Sequence, residues 1–480
     1  MSSVWAGSLW SIAPEITLTA FGILVLLMEA FTPSLRRSFT IISSVGVVIA
    51  AWMAPQVPGG LSWNGLLEWS PITLGFATVV LLSALFGLIS SDTYLRREGI
   101  LAGEYHALLL WCTAGLILML RATELLTIFV ALETLSLALY ALAAFNRKVK
   151  VGTEAAIKYF LMGAFASAFI LYGIALLYGE TASTKLSAIG LALTATGGPT
   201  VLASLGILLL IAGFAFKMSL VPFHAWSPDT YQGAPSPFVG FLSVAPKVAS
   251  ALVLLRVLDL VMGESVGGVL VEGGVIGGFD WSKIVAALAL ASMVVGNLFA
   301  LVQKDIKRML AYSGIAHMGY LAIAMVTLTP ETPNAMLVYL LAYALMNAGA
   351  FAVITALFRR VGEQHLISDL AGWGFRFPWL GMALTVCMLS LGGIPPTVGF
   401  IGKWVVFAHA IQNGNLWLAV AGVLTSLVGV FYYLRVVYTL YMQPEERAPE
   451  STEFPAWAGT AAVLAAVAIL VLGLIPGLIL

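Results

Sequence analysis

The stretch GFAFKMSLVPFHAW, residues 213–226, places Lys217 in a run that otherwise suits the interior of a lipid bilayer. Pro222 lies in this stretch after Lys217, and Pro228, Pro235 and Pro237 follow the stretch. Proline removes an amide donor and disrupts a helix, and irregular backbone at membrane depth is tolerated only where protein or a water-filled cavity surrounds it. The stretch therefore predicts a helix that is broken inside the membrane, with a charged side chain close to the break.

The composition of the chain indicates that this stretch lies in a membrane. Of 480 residues 60% are hydrophobic, the mean hydropathy is +1.00 and only 10% are charged, whereas a soluble domain carries roughly 25% charged residues. Lysine plus arginine equals aspartate plus glutamate at 23 each, so no net charge indicates a nucleic-acid partner. Cys112 and Cys387 are the only cysteines and form no CxxC motif, so disulfide, zinc and iron–sulfur sites lack a ligand set. We expect a polytopic membrane protein with no redox centre or metal site of its own.

Fourteen apolar runs are long enough to cross the membrane as helices, since each crossing needs about 20 mostly apolar residues. They lie near residues 15–31, 39–54, 73–91, 105–120, 123–144, 155–178, 201–221, 239–263, 283–303, 309–328, 334–358, 378–412, 416–442 and 457–478. The run 378–412 is too long for one straight crossing and contains GGIPP at residues 392–396, which predicts a second broken helix. No soluble domain interrupts the runs, so residues 1–480 are interpreted as one all-α transmembrane domain.

Basic residues fall almost entirely in the odd-numbered connections between these runs. Those connections hold Arg36, Arg37, Arg96, Arg97, Arg147, Lys148, Lys150, Lys304, Lys307, Arg308, Arg359, Arg360, Arg376 and Arg447. The even-numbered connections hold only Arg121, Lys185 and Lys283. Because cytoplasmic connections carry an excess of lysine and arginine, we expect a multi-pass protein of the cell inner membrane with both termini on the outer, periplasmic side.

Four charged residues lie deep inside the predicted spans: Glu133 in FVALETLSLALY, Lys217, Lys247 in SVAPKVASALVLL and Lys403 in GFIGKWVVFAHAI. A charge at mid-membrane costs about 2.5 to 3.5 kcal/mol on insertion scales, so a charge kept there indicates function. A lysine near a helix end can also extend its ammonium group to the interface. The short side chain of Glu133, in the middle of its span, cannot do so. Glu133 therefore predicts a partner inside the protein.

A carboxylate beside buried lysines can control whether they hold a proton. Burial disfavours the charged form of a lysine and a nearby carboxylate favours it, so Glu133 could switch Lys217 between its two forms. A chain of such lysines, joined by water and polar side chains, would move a proton through the membrane interior. His317 in YSGIAHMGY is a candidate relay because histidine titrates nearest to neutral pH. The structural alternative for His317 is a hydrogen-bonded packing role.

Five long stretches also carry a resemblance to a known family. They are LLTIFVALETLSLALYAL (125–142), TEAAIKYFLMGAFASAFILYGIALLYG (153–179), GFAFKMSLVPFHAWSPDTYQGAPSPFVGFLSVAPKVAS (213–250), KDIKRMLAYSGIAHMGYL (304–321) and LSLGGIPPTVGFIGKW (389–404). They closely resemble the subunit N family of proton-pumping NADH–quinone oxidoreductase, respiratory complex I. The resemblance runs over nearly the whole chain.

The resemblance implies a fold of about fourteen transmembrane helices that contains two inverted five-helix repeats. The first repeat would span residues 105–263 and the second residues 283–442, between flanking spans in 1–104 and 443–480. Each repeat would contain a broken helix and a proton half-channel.

The resemblance also implies roles for individual residues. Glu133 and Lys217 would form the pair of the first half-channel, Lys247 would link it toward the centre, and Lys403 would serve the second half-channel. All four positions hold suitable residues, which favours a working proton path.

The implied function is that of a proton-translocating subunit that couples quinone reduction elsewhere in the complex to proton movement, and so of one subunit of a translocase. Its partners would be the bilayer and other membrane subunits, including antiporter-like neighbours. The chain itself would bind no cofactor, whereas the complex would use NADH, flavin, iron–sulfur clusters and quinone. The alternatives are subunit M, which typically has a glutamate where this chain has Lys403, and a subunit of a multi-subunit cation/proton antiporter or of a membrane-bound hydrogenase. A purely structural membrane subunit, in which the charges only hold helices together, is a further alternative.

Overall fold

The computed structural model describes residues 9–195, 197–262, 281–358, 365–444 and 455–480. The regular structure of these residues is almost entirely helical. The strands β1 (Gly60–Ser62) and β2 (Leu67–Trp69) form one short antiparallel hairpin before the third span. A helix satisfies every backbone donor and acceptor within its own segment, which is what a chain in hydrocarbon requires.

The helices fall into four groups along the chain. The first is α1 (Ala13–Phe31), α2 (Phe39–Met53) and α3 (Pro71–Glu98). The second is α4 (Gly103–Arg121), α5 (Leu125–Ala143), α6 (Lys150–Thr181), α7 (Leu186–Ala195), α8 (Val201–Met218), α9 (Trp226–Gly233), α10 (Ser236–Leu242) and α11 (Ala245–Met262). The third is α12 (Trp281–Val302), α13 (Ile306–Ile323), α14 (Thr332–Leu357), α15 (Trp373–Arg376), α16 (Pro378–Gly392), α17 (Val398–Gln412) and α18 (Leu416–Met442). The fourth is α19 (Ala456–Leu474) alone.

Helices occur at all fourteen predicted spans, which confirms the predicted multi-pass membrane fold. Within the described residues, twelve helical segments are long and apolar enough to cross a membrane. The two other predicted spans correspond to α13 and to the pair α16 and α17, whose separation confirms the second predicted break. The first break follows α8, as the prolines predict.

Burial increases from the edge of the bundle to its centre. In the segment Ser236–Asp259, which contains Lys247, every residue of the most apolar 18-residue stretch is buried. In α1 only 28% of the corresponding stretch is buried. Large apolar side chains such as Leu27 and Phe165 are exposed on the outer helices, as expected for helices that face lipid. Lys247 therefore lies on the most enclosed helix of the protein.

The basic odd-numbered connections meet at one end of the bundle. An Arg96 guanidinium nitrogen donates to the Arg37 carbonyl oxygen at 3.1 Å, and Lys148 Nζ donates to the Glu98 carbonyl oxygen at 3.1 Å. We call this the basic end. Three of the basic residues that the orientation prediction uses, Arg359, Arg360 and Arg447, lie outside the described residues.

The second, fourth and sixth connections meet at the other end, which we call the opposite end. The Thr123 amide donates to the Leu66 carbonyl at 3.0 Å, and the Leu125 amide donates to the Thr184 carbonyl at 2.8 Å. The separation of the two sets of connections agrees with fourteen alternating crossings.

Two short backbone bridges recur at matching places in the second and third groups of helices. Glu124, which precedes α5, pairs antiparallel with Lys185, which follows α6. Asp305, which precedes α13, pairs antiparallel with Leu366, which follows α14. The helices α4 to α6 therefore correspond to α12 to α14.

An arginine closes the first of these two groups at the opposite end. One Arg256 nitrogen on α11 donates to the carbonyl oxygens of Leu120 and Ala122, at 2.8 and 3.0 Å, where α4 ends. These carbonyls have no partner within α4, because the last turn of a helix leaves its acceptors free. Arg256 thus joins the last span of the group to the first.

Arg435 does the same for the second group at the basic end. Its terminal nitrogens donate to the carbonyl oxygens of Leu301 and Gln303, at 2.8 and 2.7 Å, where α12 ends. Because Arg256 and Arg435 make equivalent contacts at opposite ends of the molecule, the two groups are inverted with respect to each other. The repeat boundaries 105–263 and 283–442 stay a prediction, and residue 263 lies outside the described part of the chain.

Replacement of Arg435 by methionine should destabilise the protein. The change leaves two carbonyl groups without a charged donor, and each hydrogen bond to a charged group contributes about 1.5 to 3 kcal/mol. We expect the thermal unfolding midpoint to fall, with a loss of about 2 to 4 kcal/mol of stability. The exposed arginine Arg147 of the basic end gives the control Arg147→Met, which should leave the midpoint unchanged. Equal midpoints for both variants would contradict the closing role of Arg435.

Candidate proton path

The first helix break places polar groups inside the protein. α8 ends at Met218, and Ser219 follows with a φ of 62°, a left-handed conformation that stops the helix. The carbonyl oxygen of Phe216 in the last turn accepts a hydrogen bond from Trp226 Nε1 at 2.9 Å. The backbone at the break is thus partly satisfied by the segment that follows it, and Lys217 lies at the tip of α8.

Lys217 is buried, with 2% of its surface exposed. Its Nζ donates to Ser136 Oγ on α5 at 2.7 Å and lies 5.6 Å from the centre of the Tyr140 ring. The ammonium group is therefore held between a hydroxyl and an aromatic face, both of which can stabilise a positive charge. It does not extend to either membrane interface.

Glu133 lies on the same side of α5 as Ser136, because residues three apart share a helix face. It is partly buried and accepts a hydrogen bond from Ser167 on α6. In the part of the chain that the structure describes, Glu133 and Lys217 form no direct ion pair. The expected pair is thus connected along α5, with Ser136 in contact with the ammonium group.

Lys247, at the start of α11, is fully buried. Its Nζ lies 5.7 Å from the centre of the Tyr231 ring and 5.8 Å from that of Tyr343. Neither this nitrogen nor the two tyrosine hydroxyls has a hydrogen-bond partner among the described residues. Three polar groups that can exchange protons therefore meet in one enclosed place.

His317 lies between Lys247 and Lys403, on α13. Its Nδ1 is 2.7 Å from the hydroxyl of Tyr339, and its Nε2 is 3.2 Å from that of Tyr433. In a neutral imidazole one nitrogen donates and the other accepts. The ring therefore links two hydroxyl groups, a geometry that fits both a proton relay and a hydrogen-bonded packing residue.

Aromatic contacts extend this link in both directions. The His317 ring centre lies 5.2 Å from that of Tyr343, which contacts Lys247, and 5.7 Å from that of Tyr320. Lys403 Nζ in turn lies 5.4 Å from the centre of the Tyr320 ring. A continuous row of polar aromatic residues therefore connects Lys247 to Lys403.

Lys403 lies on α17, just past the second break. Its Nζ donates to the carbonyl oxygens of Leu391 and Gly392 at 3.0 Å each and to Ser426 Oγ at 2.7 Å. The two carbonyls belong to the end of α16, where the helix dipole favours a positive charge. The break in the helix thus forms the binding site for the Lys403 ammonium group.

Gly393 is the residue at this break whose lack of a side chain makes room for Lys403. It has a φ of 80°, and a Cβ there would lie 2.9 Å from Lys403 Cδ. Any other residue would be strained and would displace the lysine stem. The GG pair in the sequence motif therefore both ends α16 and admits Lys403.

Other titratable residues lie apart from this row. Lys158 is about half exposed and pairs with Glu154 at 2.8 Å and Asp229 at 3.1 Å. His106 contacts Thr40 at 3.0 Å beside the flanking helices. These residues have local structural partners and are not part of the candidate path.

The structure adds residues that the sequence did not single out. They are the hydroxyl-bearing partners of the lysines and of His317, namely Ser136, Ser426, Tyr339, Tyr343 and Tyr433. Ser136 had a detectable signal, since it follows Glu133 by three residues. No feature of the sequence indicates Ser426, because it lies on a different span from Lys403 and is one polar residue in an apolar helix.

Comparison with known proteins gives consistent results over almost the whole chain. Residues 122–429 match the family described as NADH:quinone oxidoreductase/Mrp antiporter, TM. The chain is 39% identical to NADH-quinone oxidoreductase subunit N of Trichlorobacter lovleyi, over 98% of this chain and 95% of the relative.

Solved structures with the same fold include chains of two respiratory membrane complexes. A chain of respiratory complex I from Thermus thermophilus with bound aureothin is 35% identical, with a TM-score of 0.80 over 97% of this chain and 98% of that one. A chain of the membrane-bound sulfane sulfur reductase, an archaeal respiratory membrane complex, is 25% identical, with a TM-score of 0.82 over 96% and 95%.

Proposed function

Because the chain belongs to the NADH:quinone oxidoreductase/Mrp antiporter family of membrane proteins, we propose that its buried lysines carry protons through the membrane. The protein is a proton-translocating membrane subunit of NADH–quinone oxidoreductase, since relatives similar over nearly the full length bear the name subunit N. Its partners are other membrane subunits of that complex. We assign the NADH, flavin, iron–sulfur and quinone chemistry to other parts of the complex.

One observation carries the assignment of residues. Lys217, Lys247 and Lys403 are 2%, 0% and 7% exposed, and each ammonium group lies against hydroxyl groups or aromatic rings instead of a carboxylate. Burial without an ion partner disfavours the charged form of a lysine, which brings its neutral and charged forms closer in free energy. Such lysines are suited to gain and lose protons in turn.

The proposed path runs from Glu133 through Lys217 and Lys247 to Lys403, with His317 as the relay before Lys403. Quinone reduction elsewhere in the complex changes the charge at one end of this row. Repulsion along the row then releases a proton outward, and the lysines reload from the cytoplasm. Movement of one charge against 100 mV requires about 2.3 kcal/mol, which an interaction between buried charges can supply.

The proposed orientation places the basic end in the cytoplasm and the opposite end on the periplasmic side of the inner membrane. The contacts between Arg96 and Arg37, and between Lys148 and Glu98, support it because they gather basic connections at one end. Both termini would then face the periplasm.

Replacement of Lys247 by methionine tests the proposed function. Methionine keeps the unbranched shape and removes a buried ammonium group that has no hydrogen-bond partner in the described structure. Removal of an unpaired buried charge should leave stability unchanged or higher, whereas pumping should fall by roughly tenfold or more. The measurement is proton pumping and quinone reduction by the whole complex in proteoliposomes, with assembly checked on a native gel.

The exposed lysine Lys150 gives a matched control, since Lys150→Met removes a charge outside the buried row. It should pump as the wild type does. If Lys247→Met loses assembly instead of pumping, Lys247 has a structural role. If it assembles and pumps normally, the proposed path is wrong at its centre.

A further inference from the structure

The correspondence between the two repeats places a glycine where the first repeat has its acid. Glu133 lies eight residues after Leu125, where α5 begins, and Gly314 lies eight residues after Ile306, where α13 begins. Both helices are continuous from their start to these positions, and both follow the equivalent backbone bridge. Gly314 therefore occupies the position of Glu133 in the second repeat.

Gly314 faces Lys247. A Cβ at position 314 would lie 3.0 Å from Lys247 Nζ and 2.8 Å from the Tyr343 hydroxyl. Both of these atoms are ends of side chains, so a small side chain at position 314 could be accommodated by their movement. A side chain with a carboxylate would be in direct contact with the ammonium group.

We propose that Gly314 is a positioning residue that keeps the central lysine without an acidic partner. The inference rests on the proposed function and concerns the difference between two lysines of the path. Lys217 lies beside a helix that carries an acid, whereas Lys247 faces a glycine at the equivalent position. A carboxylate within about 4 to 6 Å favours the charged form of a lysine. An acid at position 314 would therefore hold the proton on Lys247 and stop its transfer toward His317.

The experiment compares Gly314→Asp with Gly314→Asn, which have the same shape and differ in charge. Gly314→Ala measures the effect of the added volume alone. Each variant is studied in the whole complex in proteoliposomes, with proton pumping and quinone reduction measured and assembly checked on a native gel. We expect the alanine variant to keep most of its pumping, and the aspartate variant to pump roughly tenfold or more below the asparagine variant.

A second pair of variants tests the inference if the Gly314→Asp variant does not assemble. Tyr231 also lies beside Lys247, with its ring centre 5.7 Å from the ammonium nitrogen, and is not part of the row that joins Lys247 to Lys403. The pair Tyr231→Glu and Tyr231→Gln therefore brings the same charge difference from α9. The glutamate variant should again pump roughly tenfold or more below its neutral counterpart.

Equal pumping by the charged and neutral members of an assembled pair would overturn the inference. Full loss of pumping in an assembled Gly314→Ala complex would also overturn it, because volume and not charge would then be decisive. Neither result would touch the path itself, which is tested separately by Lys247→Met. Normal pumping by Lys247→Met would contradict the proposed function, and the inference about Gly314, which rests on it, would then fail as well.

Discussion

Replacement of Lys217 by alanine is expected to abolish coupled proton pumping in an assembled complex. Lys217 is 2% exposed and its Nζ donates to Ser136 on α5, so its loss removes the ammonium group that this buried place holds. Loss of a group that transfers protons typically costs roughly 10²-fold or more in rate. Quinone reduction should fall together with pumping, because the two are coupled in the proposed mechanism.

Lys217→Arg separates charge from proton exchange. Arginine keeps the positive charge but does not release its proton under physiological conditions. We therefore expect this variant to assemble at least as well as the alanine variant and to pump no better. The control Lys150→Ala removes an exposed lysine and should behave as the wild type. Normal pumping by an assembled Lys217→Ala complex would show that Lys217 only packs at the helix break.

The second large effect is expected for Lys403→Met. The ammonium group at this position holds the carbonyls of Leu391 and Gly392 and the hydroxyl of Ser426. Methionine has a similar length but can neither hold a proton nor donate to these groups. Pumping should fall by roughly 10²-fold, and some stability should be lost because the carbonyls at the end of α16 lose their donor.

The double variant Lys217→Ala with Lys403→Met tests whether the path is one continuous row. Residues that act as a unit have strongly non-additive effects. If a proton must pass both lysines, the double variant should be no worse than either single variant. If each single variant lost only part of the pumping and the double variant lost all of it, two independent half-channels would be indicated. Proton-to-electron ratios in proteoliposomes distinguish these results.

The pair that the family resemblance implies has other direct partners in the structure. Glu133 was expected to contact Lys217, yet it accepts a hydrogen bond from Ser167 while Lys217 binds Ser136. Spacing along one helix identifies neighbours on that helix only. Partners on other helices depend on how the helices pack and rotate against one another.

The sequence by itself determined the membrane setting, the fourteen helical runs, the two breaks and the four buried charges. These features follow from local rules, since length and apolarity define a span, and proline and glycine interrupt a helix wherever it packs. Only the tertiary structure decided that Lys403 binds the open end of α16 and that a row of aromatic residues joins it to Lys247. It also decided that Gly314 faces Lys247. The reason is that these contacts join residues from different spans, and a short-range contact between spans depends on packing that no local pattern specifies.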